Sequence, residues 1–219
     1  MTPDCERAAT KATEILIEHN IGTAPIDPLP ILKKTPGVLV MTFEEMSNKM
    51  NVERKELINM FGCENQDAVT TAYVDGDKVH YVVTYNRLLS ARIVDRALAR
   101  ELGHIVLGHD GTRPEKVRQD EAKCFALNLL CPRPLIHSLQ VMNIRITTEL
   151  LGNITGFYDH CMTCLRHQPA VHVPAELNKK VRDQFKPYIY NLFEFQRYAA
   201  LKDGSALADL GTYMDGYEE

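Results

Sequence analysis

No apolar run in this 219-residue chain approaches the roughly 18 residues that a membrane span requires. Basic charge is not in excess either. The chain has 25 Lys and Arg against 29 Asp and Glu, a formal net charge of −4, so it carries no electrostatic footprint for nucleic acid. The Lys33-Lys34 and Lys179-Lys180 pairs are expected on solvated faces. Residues Met1 to Arg7 are too polar for a signal peptide, and no internal repeat is present. Six cysteines without a secretory signal are expected as reduced thiols in a cytoplasmic protein. What remains is a soluble globular composition, 45% apolar and 25% charged, long enough for one domain with a solid core.

The chain is organised around Ala91 to Pro132, and within it Arg100-Glu101-Leu102-Gly103-His104. With His in first place this would be H-E-x-x-H on a helix. In that motif two imidazoles one turn apart hold zinc, and the Glu takes a proton from the bound water. Here the first position is Arg100, and a guanidinium has no lone pair for a metal. Apolar Ile93, Val94, Ala97, Leu98, Leu102, Ile105 and Val106 predict a helix with a buried face, and Gly108 is its expected stop. A second helix is predicted from Pro114 to Cys131, with Val117, Ala122, Phe125, Ala126, Leu129 and Leu130 as its apolar positions. A third, acidic ligand would have to come from it, and the candidates are Asp120 and Glu121.

Arg-Glu-Leu-Gly-His-Ile-Val-Leu-Gly-His, followed by Glu-Ala-Lys-Cys-Phe-Ala-Leu-Asn-Leu-Leu-Cys-Pro, resembles the ImmA/IrrE family of zinc metallopeptidases. The likeness runs from Pro25-Ile26-Asp27-Pro28, through Ala72-Tyr73 and Tyr85-Asn86, and fades after about Leu165. The resemblance implies an α+β, zincin-like domain with a small sheet packed on the motif helices. It implies Glu101 as general base and His104 as second zinc ligand. The departures fall on the chemistry: the first ligand position is Arg100, and the ligand Glu of the second motif aligns with Gln119. In zinc peptidases of this type a sheet-edge strand pairs with extended substrate, which makes Ala72 and Tyr73 candidates for a partner-strand groove.

In chain order, a first helix is expected to Glu18, a short one at Ile31–Lys34, and a strand at Val38–Met41. Phe43–Met50 and Val52–Met60 read as short helices or a helical loop. Val69–Val74 and Val79–Thr84 form a hairpin around Asp75-Gly76-Asp77. Helical pieces follow at Leu135–Leu139, Thr147–Leu151, Thr155–Arg166 and Ala175–Leu201. The expected organisation is a zincin-like domain over 1–140, a helical C-terminal part over 141–202, and a disordered acidic tail over 203–219.

His160, Cys161, Cys164 and His167 have zinc-ligand types, but all four fall on one predicted helix, and the plainer reading is buried cysteines. Cys124 and Cys131 are expected in the core. His109 fails the spacing of the extended zinc motif and is expected to meet the terminal carbonyls of its helix. Two explanations of Arg100 stand. In one, zinc binds weakly through His104 with Glu121 or Asp120, and Glu101 is the base of an active endopeptidase. In the other, Arg100 replaces the metal and pairs with Asp120 or Glu121. The second is preferred. It makes the chain a catalytically degenerate, protein-binding relative of the family, with no cofactor. The resemblance points to a phage or other mobile element, and to a repressor or host factor as partner.

Overall fold

The computed structural model describes residues 2–60, 67–142, 144, 147–155 and 171–202. The calls on 203–219, and on His160, Cys161, Cys164 and His167, lie outside them.

Helix α1 spans Cys5–Glu18, and the Asp4 side chain caps it by accepting the Arg7 N–H. Its inner face of Ala8, Ala9, Ala12 and Leu16 is fully buried. Small side chains at three of these positions let the helix approach its neighbours closely. The Asp27 side chain caps α2 (Pro28–Lys34), which leads into strand β1 (Val38–Thr42). Thr42 and Glu45 form a reciprocal capping box for α3 (Phe43–Met50), and α4 is Arg54–Met60.

Strands β2 (Ala68–Asp75) and β3 (Lys78–Tyr85) form the expected hairpin, with Gly76 at φ 59° in its turn. The sheet order is β1-β3-β2, with β1 parallel and β2 antiparallel to β3, so β2 is an edge. Tyr73 and Val74 on it are exposed. The sheet packs on α5 (Ala91–Val106) through β2 and β3, with Val83 at the buried contact.

Behind α5 lies α6 (Glu115–Leu130), and behind that α1. Gly103 sets the α5–α6 spacing: a Cβ there would stand 3.0 Å from Phe125 Cδ1 and 3.2 Å from its Cβ. Leu98, Leu102, Phe125 and Leu129 fill this layer, each contributing ~1.5–3 kcal/mol by burial. Among the described residues, helices α7 (Arg133–Val141), α8 (Thr148–Thr155) and α9 (Ala175–Lys202) follow. Val181, Phe185 and Ile189 of α9 enter the same core as α1. The fold class is α+β, mostly helical, with one small mixed sheet.

One composition-based expectation fails. Cys5 and Cys124 form a disulfide that ties the start of α1 to α6. Neither is therefore a reduced thiol, and the thiol ground for a cytoplasmic location is lost. Cys131 is buried in the core, as expected. No described helix is long and apolar enough to cross a membrane.

Candidate functional site

Two motif helices meet where their substituted positions face each other. Arg100 Nη2 donates to Gln119 Oε1 at 2.7 Å. These are the two positions at which the motif pattern departs from metal ligands, and they are bonded to one another. The expected ion pair of Arg100 with Asp120 or Glu121 is not what forms. Successive residues on a helix diverge by about 100°, so only Gln119 of the three faces α5. Asp120 turns outward to Lys123 at 3.5 Å, both side chains being well exposed.

Glu121 turns toward α1 and the loop after α5. It is 1% exposed and accepts from three donors: the Asp4 N–H at 2.9 Å, Arg113 Nη1 at 2.6 Å and His109 Nε2 at 2.9 Å. Burial pushes its carboxyl up, but the bonds from Asp4, His109 and Arg113 outweigh that and hold it below the usual carboxylate range.

His109 is the residue that sequence reasoning misplaced. It does not bond the terminal carbonyls through its ring; its side chain is 2% exposed and stands between His104 and Glu121. The cause is local. Gly108 has φ 65°, its N–H bonds the Ile105 carbonyl, and the His109 N–H bonds the His104 carbonyl. That is the Schellman arrangement, in which the second residue past the cap folds back on the last helical turn. Here it lays His109 against His104, with Nδ1 to Nδ1 at 2.8 Å.

The protons in this chain can be assigned. Burial, then the charges of His109, Arg100 and Arg118, bring His104 down to about 4, against a weaker opposing bond from Gln119. Burial also lowers His109, although Glu121 opposes it. Glu121 already has a cation in Arg113, so a second is not required and both rings are neutral. A carboxylate only accepts, so His109 Nε2 carries its proton and His109 Nδ1 its lone pair. His104 Nδ1–H must then donate to His109, which leaves the lone pair of His104 on Nε2.

Glu101 leaves α5 toward the sheet. Its Oε2 accepts from Thr70 Oγ1 of β2 at 2.6 Å. Burial pushes its carboxyl above the usual range, against the Thr70 bond and the Arg100 charge. Ala72 lies on the same face of β2 as Thr70, whereas Tyr73 is on the opposite face, stacked on its cross-strand partner His80 at 5.2 Å. The structure thus brings Arg100, Gln119 and His104 together, links Glu101 to the edge strand, and separates Asp120 and Tyr73 from them. Thr70, His109 and Arg113 are site residues that the sequence reading missed.

No protein-family model matches the chain, and no curated protein or solved structure matches it. The likeness to ImmA/IrrE peptidases therefore rests on the motif residues alone. Among the described residues no group of three or more His, Cys, Asp or Glu side chains is placed to hold a metal ion. His104 Nε2 offers one lone pair beside a guanidinium that offers none, and Glu121 is occupied by its three donors. Zinc usually takes at least three protein ligands, so this donor set does not fit it.

Proposed function

We propose that this chain is a catalytically degenerate, zincin-like relative of the ImmA/IrrE peptidases that binds a protein partner instead of hydrolysing it. The observation that carries this is the Arg100–Gln119 hydrogen bond at 2.7 Å. It joins across α5 and α6 the positions where the motif would place two zinc ligands. A guanidinium between them repels a divalent cation and activates no water. The partner would lie along the open edge of β2, whose Thr70 is already tied to Glu101. The resemblance gives the partner class, a repressor or host factor in the setting of a mobile element. An active endopeptidase would instead need His104 and Glu121 as ligands and Glu101 as base, which means breaking the contacts that bury Glu121.

Elemental analysis of the purified protein tests this reading. Well under one zinc per chain is expected, and His104→Ala should not change the value. Close to one zinc per chain, lost on His104→Ala, would overturn it.

A further inference from the structure

Arg100 is incompletely partnered. Its Nη2 donates to Gln119, but its Nε is buried with no hydrogen-bond partner. Among the described residues it makes no ion pair. Glu121 is spent on Asp4, His109 and Arg113, and Asp120 faces Lys123. Glu101 leaves the helix about 100° away and is held by Thr70. Arg118 adds a second cation that acts on His104 together with Arg100, and its Nε donates to the Arg113 carbonyl, not to an acid. This corner between α5 and α6 thus holds two guanidinium groups that, among the described residues, hydrogen-bond no carboxylate, although the charges of Glu101 and Asp110 lie within reach of Arg100 and Arg118. A buried guanidinium N–H without an acceptor is costly, and an arriving anion that accepts from it offsets that cost.

The shape of the donor set selects the anion. A guanidinium presents Nε–H and a terminal N–H side by side, matched to the two oxygens of one carboxylate. The chain's net charge of −4 disfavours a polyanion, while a single carboxylate is compatible with it. The edge strand β2 lies against α5 beside Arg100, where Thr70 bonds the next residue, Glu101. An extended segment paired with β2 can therefore carry an acidic side chain to Arg100. We propose that Arg100 is the recognition point for a carboxylate, supplied by an Asp or Glu side chain of a partner segment lying on β2. The source of the carboxylate rests on the partner-binding reading above; the carboxylate site itself does not.

Titration with sodium acetate, against sodium chloride at equal ionic strength, tests the site on the full chain. The readouts are the Arg100 Nε–H resonance and the backbone amides of Glu101 and Gln119. Saturation by acetate alone is expected, with Kd on the order of 1–100 mM because so small a ligand makes few contacts. Arg100→Gln should abolish it. Arg100→Lys, which keeps the charge and lacks Nε–H, should weaken it at least tenfold, with melting curves confirming that both variants fold. Shifts that track ionic strength equally in both salts would overturn the proposal. So would saturation that survives in Arg100→Gln, or much tighter saturation by inorganic phosphate. Acetate saturation in a protein that proves zinc-replete would sink the partner-binding reading and leave the carboxylate site standing. A zinc-free protein that ignores acetate would do the reverse.

Discussion

Glu121→Ala removes the acceptor on which the start of α1 and two side chains of the α5–α6 loop converge. The lost bonds are those from the Asp4 N–H and His109 Nε2, both at 2.9 Å, and from Arg113 Nη1 at 2.6 Å. The three do not weigh equally. Arg113 is 36% exposed and can turn to water, so its share is under ~1 kcal/mol. His109 is 2% exposed and cannot, and a stranded buried donor costs ~1–3 kcal/mol. The Asp4 bond is partly buried and adds a smaller amount. Together these give roughly 2–5 kcal/mol, reaching the range for breaking a buried charged pair. At ~2–4 °C per kcal/mol for a chain of this size, Tm should fall by ~4–20 °C. Glu121→Gln keeps the volume and one acceptor and should lose only ~1–2 kcal/mol. Urea unfolding measures both, and an unchanged m value would show that the loss lies in the native state. A Glu121→Ala protein within ~0.5 kcal/mol of the parent would refute the view that Glu121 anchors the histidine chain.

Acid should weaken the fold before the carboxylates titrate. His104 titrates near 4 when folded against 6.5 unfolded, so the unfolded chain binds more protons in between. Stability should be complete above about pH 6.5 and decline toward about pH 4, and His104→Gln should flatten that limb in unfolding curves taken across the range. Glu101 has the opposite sign: its folded value is raised, so its cost appears as pH rises above 4.5. The Tm of Glu101→Gln should therefore gain on the parent as pH rises, with partner binding unchanged, because a base is needed only where water is activated. Loss of biological activity in a folded, partner-binding Glu101→Gln protein would instead identify an enzyme. R100H/Q119E should create a zinc site, and zinc at ~100 times its Kd should then stabilise the fold by ~2.7 kcal/mol, read as a Tm rise absent in the parent.

Much of this fold could be read from local patterns. The two motif helices, the hairpin and the long last helix stand within a few residues of their expected bounds, because their apolar periodicity and turn residues agree with their packing. The contact between α5 and α6 could be foreseen from Gly103, but the orientation of α6 could not. A rotation of one residue decides whether Gln119 or Asp120 meets Arg100, and propensity does not fix it. The α6 pattern is especially weak because Glu121 and Asn128 are buried among its apolar residues. Glu121 is buried for the sake of Asp4, 117 positions away, a partner no local signal reveals. The disulfide is equally non-local, since Cys5 and Cys124 are 119 positions apart. His109 did have a local signal: Gly108 at a helix end predicts a reversal that brings the second following side chain onto the last turn.

The Arg100–Gln119 pair also accounts for the charge at this corner. A His and a Glu around zinc sum to one net positive charge: a neutral imidazole, one carboxylate and a divalent ion. Arg100 and Gln119 likewise sum to one positive charge, with no ion to capture. The neighbours His104, Thr70 and Glu101 therefore stand in a field of the same overall sign either way. What differs is the source of the charge. Zinc must be bound from solution and can be removed, whereas a guanidinium arrives with the chain and cannot be deprotonated. On the degenerate reading proposed above, the corner forms on folding without a metal, and a chelator should leave its Tm unchanged. R100H/Q119E reverses that dependence. Without zinc it leaves a carboxylate against two neutral imidazoles, and it loses the guanidinium that acts on both Glu101 and His104. Its apo form should be less stable than the parent, and only the metal should restore it.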